Sequence, residues 1–147
     1  MKRIEDYVIS IPDFPEPGII FRDITGILRD ADGFIFGMPI AYNLHKAFIP
    51  VRKKGKLPRE TVSAKYDLEY GTAEIEIHKE DLRPGMKVVI IDDLIATGGT
   101  VEAAVKLAES LGAEVVKIAF VMELAGLKGR ERLAGYDVES VITYEGK

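Results

Sequence analysis

At 147 residues, with 47% apolar and 30% charged side chains, the chain has the length and composition of one compact globular domain with its own core. A net charge of −4 argues against nucleic-acid binding through a broadly basic surface. No apolar run approaches the roughly 18 residues of a membrane span, the charged opening MKRIEDYVIS lacks a signal-peptide core, and the absence of cysteine excludes disulfides and thiolate chemistry and fits a reducing cytoplasm.

In chain order, Arg3–Val8 reads as a short helix that the prolines of IPDFPEPG (11–18) end. IIFRDITGIL (19–28) reads as a loop or short extended segment. GFIFGMPIAYNLHKA (33–47) is apolar on most faces and predicts a buried helix with Asp32 as N-cap, although Gly37 and Pro39 weaken it. AFIPVRK (47–53) predicts a short buried strand ending in positive charge, and KKGKLPRE a basic loop. TVSAKYDLEY and AEIEIHK alternate about Gly71-Thr72 and predict a β-hairpin. Arg83-Pro84-Gly85 marks a turn.

Val88–Ile91 is short and wholly apolar, the pattern of a strand covered on both faces. Val101, Ala104, Val105, Leu107, Ala108 and Leu111 recur at helical spacing over Thr100–Leu111, with Gly112 placed as the stop. EVVKIAFVME is another buried strand, so Val88–Met122 is one β-α-β unit with a parallel pair. A charged helical piece, LKGRERLAG, and a last alternating strand, DVESVITY, complete an α/β chain. No repeat or linker interrupts it, so residues 1–147 read as a single domain.

The stretch VVIIDDLIATGGT (88–100) concentrates the chemistry. In an open parallel sheet, ligands sit beyond the carboxyl ends of the strands, where Asp92 and Asp93 are expected. Gly98 and Gly99 permit close backbone approach or φ > 0, Thr97 and Thr100 add hydroxyls, and the following helix N-terminus favours phosphate. The acid pair suits two hydroxyls or a hydrated magnesium ion. Together these features describe a ribose 5-phosphate, although aspartate and glycine after a strand are also ordinary turn formers. A Walker loop is excluded because its G-x-x-x-x-G-K-[ST] pattern is absent. A phospho-acceptor receiver domain is excluded by the order of its acids along the chain. His45 and His78 have no second ligand at metal spacing and read as structural or surface residues.

VVIIDDLIATGGT resembles the phosphoribosyl-pyrophosphate (PRPP) motif of type I phosphoribosyltransferases. SIPDFPEPGIIFRDIT, GFIFG, VRKKGKLP, LEYGTAEIEIHKEDLRPG and LKGRERL resemble, in order, segments of the adenine phosphoribosyltransferase family. The resemblance implies a parallel sheet flanked by helices, a small N-terminal hood over residues 10–30 and a β-hairpin mobile loop. It implies a purine-salvage transferase that converts adenine and PRPP to AMP and pyrophosphate with Mg²⁺ held mainly through PRPP. It also implies a cytoplasmic homodimer with no nucleic-acid or membrane partner.

Carried across residue by residue, Asp92 and Asp93 match the ribose-hydroxyl pair, and Ala96, Thr97, Gly98, Gly99 and Thr100 the 5-phosphate loop. Arg52, Lys53 and Lys56 match basic positions near the pyrophosphate, and Ile20, Phe21 and Arg22 the hood over adenine. Glu69 and Tyr70 match the mobile loop, with Glu69 the acid-base candidate near the purine.

One segment departs from the family. Leu28 reaches Gly33 through only RDAD, where the family has a helix, a strand and an acidic-small-Arg loop that binds pyrophosphate. A helix and strand with their turns need roughly 30 residues. The chain is therefore expected to lack a core strand beside the PRPP strand, and Asp32 stands where arginine is expected. The alternative function is a non-catalytic AMP- or PRPP-binding module or partner subunit derived from the same family.

Overall fold

The computed structural model describes residues 6, 8–13, 16–23, 37–68 and 71–145. The Leu28–Gly33 junction, the Asp32 cap and the mobile-loop pair Glu69 and Tyr70 lie outside these residues, as does most of Arg3–Val8. Two compact units divide the chain, one running up to Ala47 together with Lys147, the other spanning Phe48–Gly146.

In the first unit, β1 (Ile9–Pro12) pairs antiparallel with β2 (Ile20–Asp23), so the extended reading of Ile19–Leu28 holds at Ile20–Asp23. Asp13, at φ 55°, accepts the Gly18 amide at 2.9 Å and ties the connection back on itself. Arg22 donates from its guanidinium to the Ser10 hydroxyl across the pair. The helix expected over 33–47 is α1 (Gly37–Asn43), and it is not a buried one. Tyr42 is 79% exposed, and of its residues only Gly37 is buried. The run is apolar on most faces, but in its described part the apolar side chains of Met38, Ile40 and Tyr42 are exposed. His45 ends it at φ 50°, with the amides of His45 and Lys46 donating to the carbonyls of Tyr42 and Ala41. A histidine thus fills the left-handed position that glycine usually takes in such a stop.

In the second unit, β3 (Arg52–Lys53), β4 (Thr61–Leu68) and β5 (Gly71–His78) form an antiparallel sheet in the order β3-β5-β4. The buried strand expected over Ala47–Lys53 is corrected to the two exposed residues of β3, because it only edges β5. The hairpin is as expected, but Gly71 and Thr72 lie inside β5, opposite Leu68 and Asp67. Arg83-Pro84-Gly85 is a turn closed by the Met86 amide on the Arg83 carbonyl at 3.1 Å.

β6 (Lys87–Ile95), β7 (Glu114–Leu124) and β8 (Val138–Tyr144) form a parallel sheet in that order, and α2 (Gly99–Ser110) crosses from β6 to β7. The helix ends where Gly112 predicts. Gly112 (φ 80°) and Ala113 donate to the carbonyls of Glu109 and Ala108, the paired bonds of a Schellman stop. One side of α2 packs Ala103, Ala104, Leu107 and Ala108 against Ile75 and Ile77 of the hairpin. Another packs Val101 and Val105 against Ile95, Ile118, Phe120 and Leu133. So α2 is the shared core of two sheets, which holds its N-terminus in place.

Two expectations for β6 change. It continues through Asp92 and Asp93 to Ile95 rather than ending at Ile91, because Asp92, Leu94 and Ile95 pair with Phe120, Met122 and Glu123. It is also not covered on both faces: Val88 and Ile90 pack into the core, while Val89 is 51% exposed. Among the described residues, β6 is the edge strand of its sheet. The charged piece LKGRERLAG begins at the end of the 3-10 turn Ala125–Leu127 and itself forms the 3-10 turn Gly129–Leu133 rather than a regular helix.

Candidate active site

β6 carries the acid pair within its last four residues and hands the chain to α2 through Ala96, Thr97 and Gly98. Asp92 is half-buried and Asp93 exposed. Asp92 Oδ1 accepts the Asp93 amide at 3.0 Å. Burial, reinforced by the neighbouring Asp93 carboxylate, pushes the Asp92 carboxyl up to about 6. Burial is the larger cause and the Asp93 charge the smaller, and both make Asp92 a good partner for a hydroxyl or a cation that relieves them.

Gly98 takes φ 80° and ψ −3° at the N-cap of α2, a left-handed conformation that glycine adopts without strain. No side chain caps the helix, whose first internal bond runs from the Glu102 amide to the Gly98 carbonyl at 2.9 Å. The first-turn amides and the positive dipole end are thus available to an anion. Thr97 is half-buried and Thr100 exposed, while Gly98 and Gly99 are buried. A Cβ on Gly99 would lie 3.1 Å from the Asp67 carbonyl oxygen, so this glycine also lets the hairpin approach.

A polar cavity of about 180 Å³ lies beside this terminus, lined by Lys65, Asp67, Gly99, Glu102, Lys106 and Arg132 among others. Glu102 accepts hydrogen bonds from Lys106 (2.6 Å) and Arg132 (3.1 Å), which hold its carboxyl below the usual range.

The basic residues occupy β3 and the loop after it. Arg52 and Lys53 pair in register with Glu76 and Ile75, and all three of Arg52, Lys53 and Lys56 are exposed. What holds the loop is Glu76, which sequence reasoning passed over as one polar position in an alternating strand. It is 4% exposed, and its Oε1 accepts the amides of Lys56 and Leu57, each at 2.9 Å. Burial alone would raise its pKa, but the amides of Leu57, Gly55 and Lys56 and the Thr61 hydroxyl outweigh it and keep the carboxyl below its usual range. Glu74 beside it accepts from Lys54 (2.7 Å) and Ser63 (2.6 Å).

Ile20, Phe21 and Arg22 lie together on β2 in the first unit, with Ile20 and Phe21 about two-fifths exposed (40% and 43%). His78 is a structural residue: it is buried, with Nδ1 3.0 Å from Arg59 and 3.3 Å from Asp81. Among the described residues no group of three or more His, Cys, Asp or Glu side chains is arranged to hold a metal ion. The acid pair supplies two carboxylates, a number with which magnesium is commonly held beside substrate phosphates. None of the described helices is long and apolar enough to cross a membrane.

Sequence reasoning also missed Gly129 and Arg130, which it read as part of a charged helix. A glycine inside a helical pattern weakens the helix reading there, and that was the one local sign.

The phosphoribosyl transferase domain family model matches residues 24–145. An adenine phosphoribosyltransferase of Lachnoclostridium phytofermentans is 62% identical, with all of both chains covered. That alignment runs over 174 positions, 27 more than the 147 residues of this chain, about the length of a helix and a strand with their turns. The crystal structure of adenine phosphoribosyltransferase from Thermoanaerobacter pseudethanolicus superposes with a TM-score of 0.90 at 46% identity, covering 96% of this chain and 98% of that one. The Saccharomyces cerevisiae enzyme, solved in complex with an imino-altritol bisphosphate and adenine, superposes at 0.85 with 36% identity and covers 92% and 94%.

Proposed function

This chain belongs to the adenine phosphoribosyltransferase family, and from that premise we propose that it transfers the phosphoribosyl group of PRPP to N9 of adenine, releasing pyrophosphate and giving AMP, a purine-salvage reaction. The observation that carries this reading is the junction of β6 and α2. A hydroxyl-seeking acid pair runs directly into an uncapped helix N-terminus whose first glycine sits at φ 80°. Few ligands other than a sugar phosphate need both.

In this reading the Asp92 and Asp93 carboxylates accept hydrogen bonds from the two ribose hydroxyls and lie near the positive ring as charge develops. Ala96, Thr97, Gly98, Gly99 and Thr100 hold the 5-phosphate through backbone amides and hydroxyls. The bond from C1 to the pyrophosphate oxygen breaks, and the bond from C1 to N9 forms. The N9 proton leaves to a base, for which Glu69 is the candidate, with Tyr70 beside it on the closing loop. Arg52, Lys53 and Lys56 neutralise the departing pyrophosphate, and Ile20, Phe21 and Arg22 cover the adenine. Catalysis is then mainly positioning and electrostatic stabilisation of the leaving group. Magnesium, if bound with PRPP, would be held mainly by the substrate and would supply further charge neutralisation on the phosphates, with Asp92 and Asp93 as the nearby carboxylates.

The shortened segment before Gly33 implies that the family's pyrophosphate loop is missing or rebuilt, so we infer weaker PRPP binding and slower turnover than in full-length relatives. A homodimer in the cytoplasm completes the proposal. The test is AMP formation by the purified protein from adenine, PRPP and Mg²⁺, with hypoxanthine and guanine as competing bases. AMP binding without turnover would replace the enzyme by a binding module, and faster reaction with hypoxanthine or guanine would overturn the adenine assignment.

A further inference from the structure

The phosphate loop has a backing that its own motif does not contain. A Cβ built on Gly98 would lie 2.5 Å from the carbonyl oxygen of Gly129. A Cβ built on Gly129 would lie 2.3 Å from the Ala96 carbonyl oxygen, 2.8 Å from Ile95 Cγ1 and 3.0 Å from the Gly98 nitrogen. Two stretches of backbone therefore touch with no room for a side chain on either. Neither can yield by rotating a side chain, because the crowded atoms are mostly main chain.

The Gly129–Leu133 turn is itself pinned on three sides. Arg130 donates from Nε to both carboxylate oxygens of Glu123 (2.8 and 2.9 Å) and from Nη2 to Oε2 (2.7 Å). It also donates to the Val138 carbonyl (2.8 Å) and the Ser140 hydroxyl (3.1 Å), tying the turn to β7 and β8. Arg132 reaches Glu102 on α2 at 3.1 Å, and Leu133, 2% exposed, fills the core between Ile95 and Val101. The turn is a rigid rest against which Ala96–Gly98 lies.

We propose that Gly129 and Arg130 are positioning residues for the 5-phosphate: Gly129 sets the depth of the Ala96–Gly98 loop, and the bidentate Arg130–Glu123 pair holds Gly129 in place. This rests on the ribose-phosphate reading of that loop. A methyl group at position 129 must push Ala96 and Gly98 away, on the order of an ångström, which misplaces the backbone that grips the phosphate.

The experiment compares Gly129→Ala, Arg130→Lys and Gly135→Ala with the parent protein. Gly135 has φ 97° and nothing within 4 Å of its would-be Cβ, so its alanine variant carries backbone strain without touching the loop. Calorimetric affinity for ribose 5-phosphate and for PRPP is measured well below each melting temperature, together with KM for PRPP and kcat. Gly129→Ala is expected to lose at least tenfold in both affinities, with kcat at saturating PRPP changed much less. Arg130→Lys, which keeps the charge but not the fork, is expected to lose about threefold, and Gly135→Ala less than twofold. Folded Gly129→Ala and Arg130→Lys that bind within twofold of the parent would overturn the proposal, as would Gly135→Ala losing as much as Gly129→Ala. If Gly129→Ala does not fold, Arg130→Lys decides alone. Failure of the parent protein to bind either ligand would instead remove the ribose-phosphate reading itself.

Discussion

Asp92→Asn should make the empty protein more stable while damaging its site. Burial and the Asp93 carboxylate raise the Asp92 carboxyl from 3.8 to about 6, so the folded state holds a proton that the unfolded chain has already lost. The stability from this group is fully present below pH 3.8 and falls away as pH rises to about 6. Each tenfold change in proton affinity corresponds to about 1.4 kcal/mol, so a rise of this size gives about 3 kcal/mol, or about 2 kcal/mol after allowing for partial solvation. Asparagine has nearly the same shape and no charge to desolvate. At pH 8 the variant should gain about 2 kcal/mol, which at a typical slope moves a urea midpoint by about 1 M. The gain should shrink to a few tenths of a kcal/mol near pH 4, where folded Asp92 is already neutral. Urea titrations of both proteins at pH 4, 6 and 8 measure this, and ribose 5-phosphate binding should weaken in the same variant. A midpoint at pH 8 no higher than the parent's, or a gain that does not change with pH, would refute the reasoning. The outcome would place Asp92 among residues whose function costs stability.

Three further predictions concern the neighbouring parts. Asp93→Asn should weaken PRPP use without lowering the melting temperature, since Asp93 is exposed and its charge opposes that of Asp92; equal losses of activity and thermal stability would make the pair structural. Glu76→Gln should loosen the Gly55–Leu57 loop, seen as faster hydrogen exchange at the Lys56 and Leu57 amides and a higher KM for PRPP, whereas unchanged exchange would show that the loop holds itself. Leu133→Ala, at a site 2% exposed, should cost about 2–5 kcal/mol in urea unfolding. A loss under about 1 kcal/mol would mean that the turn is not anchored through the core.

Much of the second unit was legible because its signals are local. Period-two alternation marked β4, β5 and β8, helical spacing and Gly112 marked α2, and the apolar runs around it marked a parallel pair. The errors lay where burial depends on a distant partner. GFIFGMPIAYNLHKA is apolar enough to be buried, yet Tyr42 and Leu44 are exposed. AFIPVRK has strand composition but only Arg52 and Lys53 find a partner, in β5. Nothing in VVIIDDL announces that pairing with β7 carries the strand through both aspartates, because charged residues within a strand oppose its usual composition.

The order of elements, the family and the sugar-phosphate reading proposed for VVIIDDLIATGGT could all be drawn from the chain itself, since each rests on residue types at short spacing. The backing of that loop could not. Gly98 and Gly129 are 31 positions apart, and a side chain on either would run into the stretch of backbone that carries the other. Glu76 and the amides of Lys56 and Leu57 are likewise joined only when β5 passes beneath the basic loop. Such close approaches depend on how α2 and the two sheets pack, a property of many side chains at once that no local pattern carries.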